Sequence, residues 1–423
     1  MELGLERIEA LLKHLDSPHA SLEVIHVAGT NGKGSVTAYL ESVLLQSGYT
    51  TGRFNSPHLL EPRDSIRVNG KPISTEEYEN TLNLIKTLEK QVKLGVTQFE
   101  MLTAAMFYLF NKYSVNFVIL EVGCGGLLDA TNVLQKPKVA IITQIGLDHI
   151  GILGNTVEEI AFHKAGILKL NCPAVVCEQR ESTVMEVIQK RANELGNRVI
   201  LARPAKRVNP NFGEIEYFTT EGERRSIQYP IPLLGDIQLE NSSVAVHTLL
   251  CLRGLGVHIT DENIFSGMKN TKWSARLDWI ETKTKAGRIL LDGAHNPPAA
   301  IALREYVQSY LTTTNSPQNT PIQWIFGATR GKNLTDIFSH LLRPGDSVFC
   351  VPFSQPENMP WINCIPPKEI EEALTDASVT TRTFDDVIAA LDSVDTQKFR
   401  LVVMCGSLYL AADFFRAAKI DIY

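Results

Sequence analysis

The chain has 423 residues, of which 44% are hydrophobic and 21% charged, a composition typical of a globular protein with two or three domains. Its formal net charge of -6 at pH 7 argues against a general nucleic-acid binder, which would carry a basic surface. No segment approaches 18 uncharged apolar residues, so no transmembrane helix is predicted.

The seven cysteines are spread thinly along the chain, without a CxxC pair. This usage fits free thiols in a reducing compartment better than a disulfide framework, and no Cys/His cluster has the ligand spacing of a zinc site. The N-terminal stretch MELGLERIEALLKHLDSP alternates charge and leucine at helical spacing, whereas a signal peptide needs an unbroken apolar core. We therefore expect a cytoplasmic location, or an organelle interior if a transit peptide has been removed.

Short runs rich in Val, Ile and Leu alternate along the chain with helical patterns, and most of these runs are nearly continuous. Strands that are buried on both faces of a parallel sheet have this pattern. The predicted strands lie in LEVIHVAG, NFVILEVG, KVAIITQIG, PAVVCE, RVILA, RILLDGAHN, IQWIFGAT, DSVFCVPF and FRLVVMCGS. The predicted class is therefore α/β with parallel sheets.

Two regions interrupt this alternation. Residues 203–232 are rich in Pro, Asn, Glu and aromatic residues and lack helical periodicity, which indicates a small antiparallel excursion. A first αβ series ends around MKNTKWSARLDWI, and a second begins at RILLDGAHN. We therefore predict two α/β domains, residues 1–271 and residues 272–423.

The stretch IHVAGTNGKGSVTAYL, residues 25–40, is typical of a strand, a glycine-rich turn and a helix. Such a turn can direct several N–H groups at one anion, and the helix N-terminus adds partial positive charge. Lys33 could reach terminal phosphates and Ser35 a magnesium ion, but Gly34 stands where the standard pattern has Ser or Thr. Taken alone, the pattern fits a phosphate loop and an ordinary glycine turn equally well. The helix that follows carries a predicted apolar stripe: Val36, Tyr39, Leu40, Val43 and Leu44.

The next polar cluster is NSPHLLEPRDSIRVNG, residues 55–70. Its composition predicts a loop, which begins at Ser56-Pro57-His58 and contains Glu61, Arg63 and Arg67. One interpretation is a surface loop with turn residues. The other is a mobile loop over a nucleotide, in which Ser56 joins the shell of a metal ion.

A buried strand ends at Glu121 in LEVGCGGLLDATN, residues 120–132, and Asp129 follows the glycines. The carboxyl ends of strands in open parallel sheets are where ligands bind. A carboxylate at that place is a hard oxygen ligand suited to Mg²⁺. The alternative is a solvated acid without a ligand role. This is less favourable, because a glutamate inside an apolar strand is expected to be buried, and burial of an unpaired charge is costly.

In IGLDHIGILGNTVEEIAFHKAGILK, residues 145–169, we predict that Asp148 and His149 directly follow another strand. Thr156 and Glu159 suit a capping box at the start of the next helix. Along that helix Lys164 has apolar neighbours, and a buried lysine tends to be modified, neutralised or paired. We favour His149 as a ligand over a purely structural histidine.

Six motifs together resemble one family: HVAGTNGKGSV, SPHL, LEVGCGGLLDATN, LDHIGILGNTVEEIAFHKAGILK, DGAHNP and CGSLYL. They look like the folylpolyglutamate synthase and dihydrofolate synthase family of the Mur ligase superfamily, in the family's order and over nearly the whole chain. The G-T-N-G-K-G-S loop is the form that this family uses. The resemblance implies an N-terminal ATP-binding domain of the P-loop type and a C-terminal Rossmann-like domain.

The resemblance also implies a reaction, in which ATP phosphorylates the carboxylate of dihydropteroate or a folate and the amine of L-glutamate displaces the phosphate. The triphosphate would be held by Gly29, Thr30, Asn31, Gly32, Lys33, Gly34 and Ser35. Two Mg²⁺ ions would be held by Ser35, Ser56, Glu121, His149 and Lys164. In the family the lysine at the position of Lys164 is carbamylated, which turns a cation into an anionic oxygen ligand.

Further roles follow from the resemblance alone. Asn241, Arg276 and Asp292 match ATP-contacting positions, and His295 lies near the reacting carboxylate or the glutamate. The predicted catalytic residues are thus Lys33, Glu121, His149, Lys164 and His295. The acceptor would be bordered by His58, Thr97, Phe99, Leu127, Leu128 and Asp129. Two positions depart from the family pattern, with Leu127 where arginine is usual and Ile237 where histidine is common.

Two alternatives stay open at this stage. Another Mur-type amino-acid ligase, one that acts on a peptidoglycan precursor, is disfavoured. Such enzymes usually carry a further N-terminal domain for the UDP-sugar, whereas here the phosphate loop comes within the first 35 residues. A nucleotide-binding module without catalysis would not need Glu121, His149 and Lys164. Within the family, the chain could be bifunctional, which we favour, or a folylpolyglutamate synthase without dihydrofolate synthase activity. The expected partners are small molecules, with neither nucleic acid nor membrane, and the expected state is a monomer.

Overall fold

The computed structural model describes residues 4–219, 222–317, 320–374, 376 and 378–422. The helices are α1 (Glu6–Lys13), α2 (Lys33–Gln46), α3 (Thr75–Val92), α4 (Gln98–Lys112), α5 (Val157–Ala165), α6 (Ser182–Glu194), α7 (Ile237–Gly254), α8 (Asp261–Asn270), α9 (Pro297–Thr313), α10 (Leu334–Leu341), α11 (Pro367–Glu372), α12 (Val387–Asp392) and α13 (Leu408–Ala418). Short 3-10 helices lie at Pro18–Ser21, Pro62–Ser65 and Ala130–Val133.

The strands are β1 (Val24–Ala28), β2 (Thr51–Phe54), β3 (Ile66–Val68), β4 (Lys71–Pro72), β5 (Phe117–Glu121), β6 (Val139–Ile142), β7 (Ala174–Cys177), β8 (Val199–Ala202), β9 (Lys206–Asn209), β10 (Phe212–Phe218), β11 (Arg224–Pro230), β12 (Asp278–Glu281), β13 (Arg288–Leu291), β14 (Ile322–Phe326), β15 (Ser347–Cys350), β16 (Thr380–Thr383) and β17 (Leu401–Cys405). All nine strands that the sequence predicts are present. In the described part of the chain, no helix combines the length and apolar character that a membrane span requires.

The chain divides into two compact units. The first contains residues 1–58, 63–232 and 237–272, and the second contains residues 59–62, 233–236 and 273–423. Our division into domains at residue 272 remains a proposal. The structure adds that two short segments from before that position, Leu59–Pro62 and Leu233–Asp236, group with the second unit.

The first unit is built on an eight-stranded sheet in the order β4-β3-β2-β5-β1-β6-β7-β8. The six strands from β2 to β8 in this order run parallel, while β3 and β4 add an antiparallel edge. Strands β1, β5 and β6 are buried along their whole length. The parallel α/β class is therefore confirmed, and the carboxyl ends of β2, β5 and β1 lie side by side.

Helix α2 follows β1 and packs against α7 and α8. Its predicted single apolar stripe is too narrow, because Ser35, Thr37 and Glu41 are buried as well. The approach to α8 is close: a Cβ atom on Gly267 would lie 2.4 Å from the Cα atom of Val43. The helix is therefore enclosed by the sheet and two neighbouring helices, which sequence periodicity alone does not reveal.

The predicted antiparallel excursion at residues 203–232 is confirmed, since β9, β10 and β11 form a three-stranded antiparallel sheet. The sequence analysis missed β2, a member of the parallel sheet. It also placed Arg67 in a loop, whereas Arg67 lies in β3, paired with Arg53 of β2. Both strands are short and contain arginine, so they lack the apolar run that predicted the other strands.

The second unit contains a six-stranded sheet in the order β12-β13-β17-β14-β15-β16. Its strands are parallel except for β12, which pairs antiparallel with β13. Apolar clusters cover both faces of this sheet, one around Trp324 and Phe338 and the other around Phe349 and Phe414. Strand β12 was missed in the sequence, where its residues were assigned to the end of the first αβ series.

Candidate active site

The phosphate loop, residues 29–35, connects β1 to α2. Gly29 and Gly32 have φ values of +149° and +90°, a region that glycine adopts without the strain of a side chain. The N–H groups of Thr30 and Asn31 both donate to the carbonyl of Gln144, so they are not directed at an anion. Helix α2 begins at Lys33, and the N–H groups of a helical first turn have no intrahelical acceptor. We therefore expect an anion to be bound by the helix N-terminus.

Lys33 folds back over its own loop. Its Nζ atom donates hydrogen bonds of 3.2 Å to the carbonyl of Gly29 and 3.2 Å to that of Thr30, and lies 3.7 Å from Oε1 of Glu121. The Thr30 hydroxyl donates to the carbonyl of Gly146, which ties the loop to the segment after β6. The ammonium group is thus held at the mouth of the loop beside a carboxylate.

Glu121 is the last residue of β5, and only 5% of its surface is exposed. Besides Lys33, its carboxylate contacts Asn55, whose amide donates a hydrogen bond of 2.6 Å to Oε2. Asn55 comes directly after β2, the strand beside β5. The predicted acid at the end of a parallel strand is therefore buried next to the phosphate loop, and its charge is compensated.

Lys164 lies at the end of α5 and is 3% exposed. Its Nζ atom donates a hydrogen bond of 2.8 Å to the carbonyl of Gly29. Burial, together with repulsion from Lys33, lowers the pKa of Lys164 from 10.5 to about 7. A substantial fraction of this amine is therefore neutral near neutral pH, as desolvation of a buried lysine predicts. The capping box of α5 formed by Thr156 and Glu159 is confirmed.

Helix α7 borders the phosphate loop from another side. Gln238 donates from Nε2 to the hydroxyl of Ser35 at 3.4 Å, and Asn241 donates to Oε1 of Gln238 at 3.3 Å. A Cβ atom on Gly32 would lie 2.2 Å from Oδ1 of Asn241. Asn241, predicted as an ATP contact, thus lies directly beside the loop, and it requires glycine at position 32.

The predicted metal residues Ser56 and His149 have contrasting surroundings. The Ser56 hydroxyl oxygen is buried without a hydrogen-bond partner in the described structure. His149 has a side chain that is 38% exposed, with Nε2 3.8 Å from Oδ2 of Asp148, and a positive φ of 52°. The expectation that Asp148 and His149 directly follow a strand is wrong, because β6 ends at Ile142. In the described residues, no group of three or more His, Cys, Asp or Glu side chains is placed to hold a metal ion.

The glycine loop after β5 is organised by Asp129. Its carboxylate accepts hydrogen bonds from the backbone N–H groups of Cys124 and Thr131 and from the Thr131 hydroxyl. Burial raises the pKa of Asp129, and these hydrogen bonds oppose the rise. This carboxylate is therefore occupied within its own loop. Leu127 is half-buried with its N–H group on the carbonyl of His163, and Leu128 is 38% exposed.

The other predicted acceptor residues lie on neighbouring elements. Thr97 is the N-cap of α4 and forms a capping box with Glu100. The half-buried ring of Phe99 lies 6.1 Å from that of Phe54, and a Cβ atom on Gly123 would lie 2.4 Å from it. Phe99 therefore lines the glycine loop, whereas the Thr97 hydroxyl serves the helix. His58 is buried.

In the second unit, Asp292 directly follows β13 and accepts hydrogen bonds of 2.8 Å from the N–H groups of Leu277 and Ala294. Burial raises the pKa of Asp292, and Arg276 opposes the rise. His295 donates from Nδ1 to the carbonyl of Gly293 at 2.8 Å, since a carbonyl can only accept. Asp292, Arg276 and His295 are thus grouped at the end of β13.

Two family models match the chain. The Mur ligase middle domain matches residues 27–249, and the C-terminal domain of dihydrofolate synthetase matches residues 275–417. The chain is 38% identical over 425 residues to a probable dihydrofolate synthetase of Schizosaccharomyces pombe, with all of both chains covered. It is 37% identical to the dihydrofolate synthetase of Saccharomyces cerevisiae, with 98% of each covered. The chain belongs to the dihydrofolate synthase and folylpolyglutamate synthase family of Mur ligases.

Structural comparison agrees with this membership. The bifunctional folylpolyglutamate synthase/dihydrofolate synthase of Yersinia pestis, solved with AMPPNP and a Mn ion, is 28% identical, with a TM-score of 0.78 over 99% of this chain and 94% of that one. The resemblance inferred from six sequence motifs is confirmed, as is the two-domain Mur ligase-like fold.

Three residues that contact the predicted site residues were not predicted from the sequence, namely Asn55, Gln144 and Gln238. Asn55 and Gln144 both follow parallel strands of the first unit. The rule that ligands bind at the carboxyl ends of parallel strands could have found them, had β2 been recognised. Gln238 directly follows Ile237, one of the two positions that depart from the family pattern.

Proposed function

We propose that this chain is an ATP-dependent ligase that joins L-glutamate to the carboxylate of dihydropteroate, and that it also acts on folyl substrates. ATP transfers its γ-phosphoryl group to the acceptor carboxylate, and the glutamate amine then attacks the acyl phosphate and releases phosphate. The observation that carries the proposal is the cluster of Lys33 with the buried Glu121 and Lys164, in which both lysines donate to the Gly29 carbonyl and Glu121 lies beside Lys33. A module that only binds nucleotide has no need of a buried carboxylate and a second lysine there.

The chain's own groups would position and neutralise the triphosphate. Lys33 is a point charge close to the helix N-terminus, where anions are stabilised. Ser35 and Asn241 flank the first turn of α2, so they lie within reach of the same phosphates. Catalysis of phosphoryl transfer rests mostly on positioning and charge compensation. On these grounds we retain Lys33, Gly34, Ser35 and Asn241 as the residues that contact the nucleotide, with residues 29–32 as the turn that shapes the loop.

The residues near Glu121 fit a divalent metal ion. Glu121 supplies a buried carboxylate, and Ser56, next to Asn55, has a buried hydroxyl oxygen without a hydrogen-bond partner in the described structure. Hard oxygen donors of this kind suit Mg²⁺. When bound, the ion would offset the negative charge of the phosphate oxygens. Glu121, Ser56 and Ser35 would hold it, and His149 with a modified Lys164 would serve a second ion.

Carbamylation of Lys164 is supported by the protonation state of its side-chain amine. A neutral amine attacks CO₂, forming an N–C bond and losing one proton, and gives a carbamate anion. The lowered pKa of Lys164, about 7, makes that neutral form abundant near neutral pH. The unmodified ammonium could not serve as a metal ligand, because it has donors and no lone pair.

In the second unit we assign Arg276 and Asp292 to the nucleotide and His295 to the reacting carboxylate or the glutamate. Asp292 is held by two backbone N–H groups, so its orientation is fixed before any ligand binds. His295 uses Nδ1 for the Gly293 carbonyl. In the neutral tautomer that carries its proton on Nδ1, the Nε2 atom has the lone pair with which the ring would orient a glutamate amine.

The proposal also specifies which acceptor substrate the enzyme uses. The similarity to proteins named dihydrofolate synthetases in two yeasts argues for dihydropteroate as the acceptor of this chain, whereas the similarity to the bifunctional folylpolyglutamate synthase/dihydrofolate synthase of Yersinia pestis argues for two acceptors. Phe99 offers an aromatic face to a flat ring system, and Leu127 and Leu128 offer apolar surface without the charge of an arginine. Dihydropteroate has no glutamate carboxylates, so an apolar residue at position 127 suits it.

A mass-spectrometric assay tests the function directly. The enzyme is incubated with ATP, Mg²⁺ and L-glutamate, together with either dihydropteroate or tetrahydrofolate, and Lys33→Met serves as the inactive control. We expect an acceptor heavier by one glutamyl residue, with ADP and phosphate formed in equal amount. ATP consumption that is independent of acceptor and glutamate, or no product with either acceptor, would refute the proposal.

We also propose a monomer in a reducing compartment such as the cytoplasm. All seven cysteines are free thiols in the structure, and five of them are buried. A folded chain with thiols rather than disulfides fits a reducing environment.

A further inference from the structure

We propose that Asn55 is a positioning residue for the metal-binding carboxylate, and that it couples Glu121 to the phosphate loop. This inference rests on the proposed role of Glu121 in metal binding. Asn55 opens the polar cluster at residues 55–70, but neither the six family motifs nor the predicted site residues include it. It lies directly before Ser56, in the turn that follows β2.

The side-chain amide of Asn55 has two N–H groups, and both are used. One donates to Oε2 of Glu121 at 2.6 Å, and the other donates to the hydroxyl oxygen of Thr37 at 2.8 Å. Asn55 is 7% exposed, so these bonds form away from bulk water. A hydrogen bond between a neutral donor and a buried carboxylate is stronger than one between neutral groups.

The second bond extends the connection to the loop. The Thr37 hydroxyl lies on α2 and donates in turn to the carbonyl of Gly34 at 2.8 Å. Glu121, Asn55, Thr37 and Gly34 are thus joined by three consecutive hydrogen bonds that run from the end of β5 to the phosphate loop. The carboxylate is thereby held in a fixed orientation relative to the loop that would carry the nucleotide.

The two oxygens of Glu121 have different surroundings as a result. Asn55 contacts Oε2, whereas Lys33 Nζ lies 3.7 Å from Oε1. Asn55 itself is anchored by its backbone N–H group, which donates to the carbonyl of Ser65 at 3.1 Å. Removal of the Asn55 amide would allow the Glu121 carboxylate to rotate toward Lys33. Its oxygens would then be held less firmly in the direction of a metal ion. Partners of metal ligands typically affect metal affinity in this way.

The test measures metal binding directly. Free Mn²⁺ is followed by electron paramagnetic resonance during titration of the full-length chain in the presence of AMPPNP. The variants are Asn55→Leu, which keeps the volume and removes both donors, and the smaller Asn55→Ala. The matched control is Asn83→Ala, which removes an exposed asparagine of α3. Thermal unfolding is recorded for every variant.

We expect Asn55→Leu to bind Mn²⁺ about 10- to 100-fold more weakly and Asn83→Ala to be unchanged. Activity of Asn55→Leu should recover when the Mg²⁺ concentration is raised in the same proportion, which a purely structural defect would not allow. If Asn55→Leu does not fold, the same result is required of Asn55→Ala. Mn²⁺ affinity within twofold of the unmodified chain in the folded variant would overturn the inference. Absence of Mn²⁺ binding to the unmodified chain would instead refute the proposed metal site.

Discussion

The side-chain amine of Lys164 donates a hydrogen bond of 2.8 Å to the backbone carbonyl of Gly29. This contact joins the end of α5 to the start of the phosphate loop, across 135 positions of the sequence. Lys33 donates to the same carbonyl at 3.2 Å, so one backbone oxygen accepts from two lysines. The repulsion between them is one reason for the low pKa of Lys164.

Replacement of Lys164 by alanine should abolish ligation, because the proposed carbamate and its negative charge are lost. We expect product formation to fall by at least about 100-fold, as for removal of a key electrostatic group in an active site. Short carboxylic acids should restore part of the activity by supplying an anionic oxygen in the vacated space. The mass-spectrometric assay measures both effects, and full activity of Lys164→Ala without any added acid would contradict the assignment.

The unmodified Lys164 should make stability depend on pH in a defined window. Its pKa is lowered from 10.5 to about 7 in the folded chain, so between those values the unfolded state binds more protons than the folded state. The contribution of Lys164 to the free energy of unfolding therefore rises with pH between about 7 and 10.5, and it is lowest below pH 7. The fall of the pKa corresponds to roughly 5 kcal/mol.

Comparison with Lys164→Met isolates this effect. Urea unfolding between pH 6.5 and pH 10 (about the span of the window), in CO₂-depleted buffer with EDTA, should show the unmodified chain gaining stability relative to the variant as pH rises. A difference in unfolding free energy that stays constant over this range would contradict the lowered pKa.

Gly32→Ala should impair nucleotide binding more than backbone strain alone explains. Gly32 has φ +90°, and an added Cβ atom would lie 2.2 Å from Oδ1 of Asn241. Gly48, near the other end of α2, has φ +84° and no heavy atom within 4 Å of its Cβ position. Gly48→Ala therefore carries similar strain, about 1–2 kcal/mol, without the overlap.

Calorimetric titration with AMPPNP compares these two variants. We expect Gly48→Ala to keep the affinity of the unmodified chain and Gly32→Ala to lose at least about tenfold, equivalent to about 1.4 kcal/mol. Equal affinities for the two variants would show that the contact between Gly32 and Asn241 does not matter for the nucleotide.

Leu127→Arg should shift acceptor preference toward substrates with a glutamate tail. Leu127 is half-buried next to the exposed Leu128, and an arginine there would offer a bidentate partner for a carboxylate. We expect the kcat/KM ratio for tetrahydrofolate over dihydropteroate to rise about tenfold, in line with an ion pair worth about 1.4 kcal/mol. The control is Leu170→Arg, which adds the same charge at a side chain that is 65% exposed. An unchanged ratio in Leu127→Arg would exclude position 127 from acceptor selection.

The sequence predicted more of the fold than of the side-chain contacts. Runs such as NFVILEVG and FRLVVMCGS identify buried parallel strands, because burial on both faces leaves no polar alternation. The short strands β2, β3 and β12 escaped prediction, since each contains charged residues that are paired or exposed only in the folded chain. Arg53 illustrates the point: it is buried in β2 beside Glu41 of α2 at 3.1 Å, a partner that lies twelve positions away.

The site was predicted as a set of residues without their contacts. Glu121 and Lys164 were singled out because a charged residue in an apolar context calls for a partner. The partners themselves, Asn55 for Glu121 and the Gly29 carbonyl for Lys164, come from distant parts of the chain. Asp129 differs, because its carboxylate, which the resemblance placed at the acceptor, is bound by Cys124 and Thr131 within its own loop.

The sequence by itself therefore determined the fold class, the family and the chemical types at the site, because periodicity and motif spacing are local properties of the chain. Only the tertiary structure decided which backbone N–H groups of the loop remain available, how the Glu121 carboxylate is oriented, and why Lys164 has a pKa near 7. These properties depend on burial and on hydrogen bonds between elements far apart in sequence. Desolvation and partner geometry exist only after β1, β2, β5, α2 and α5 have packed together.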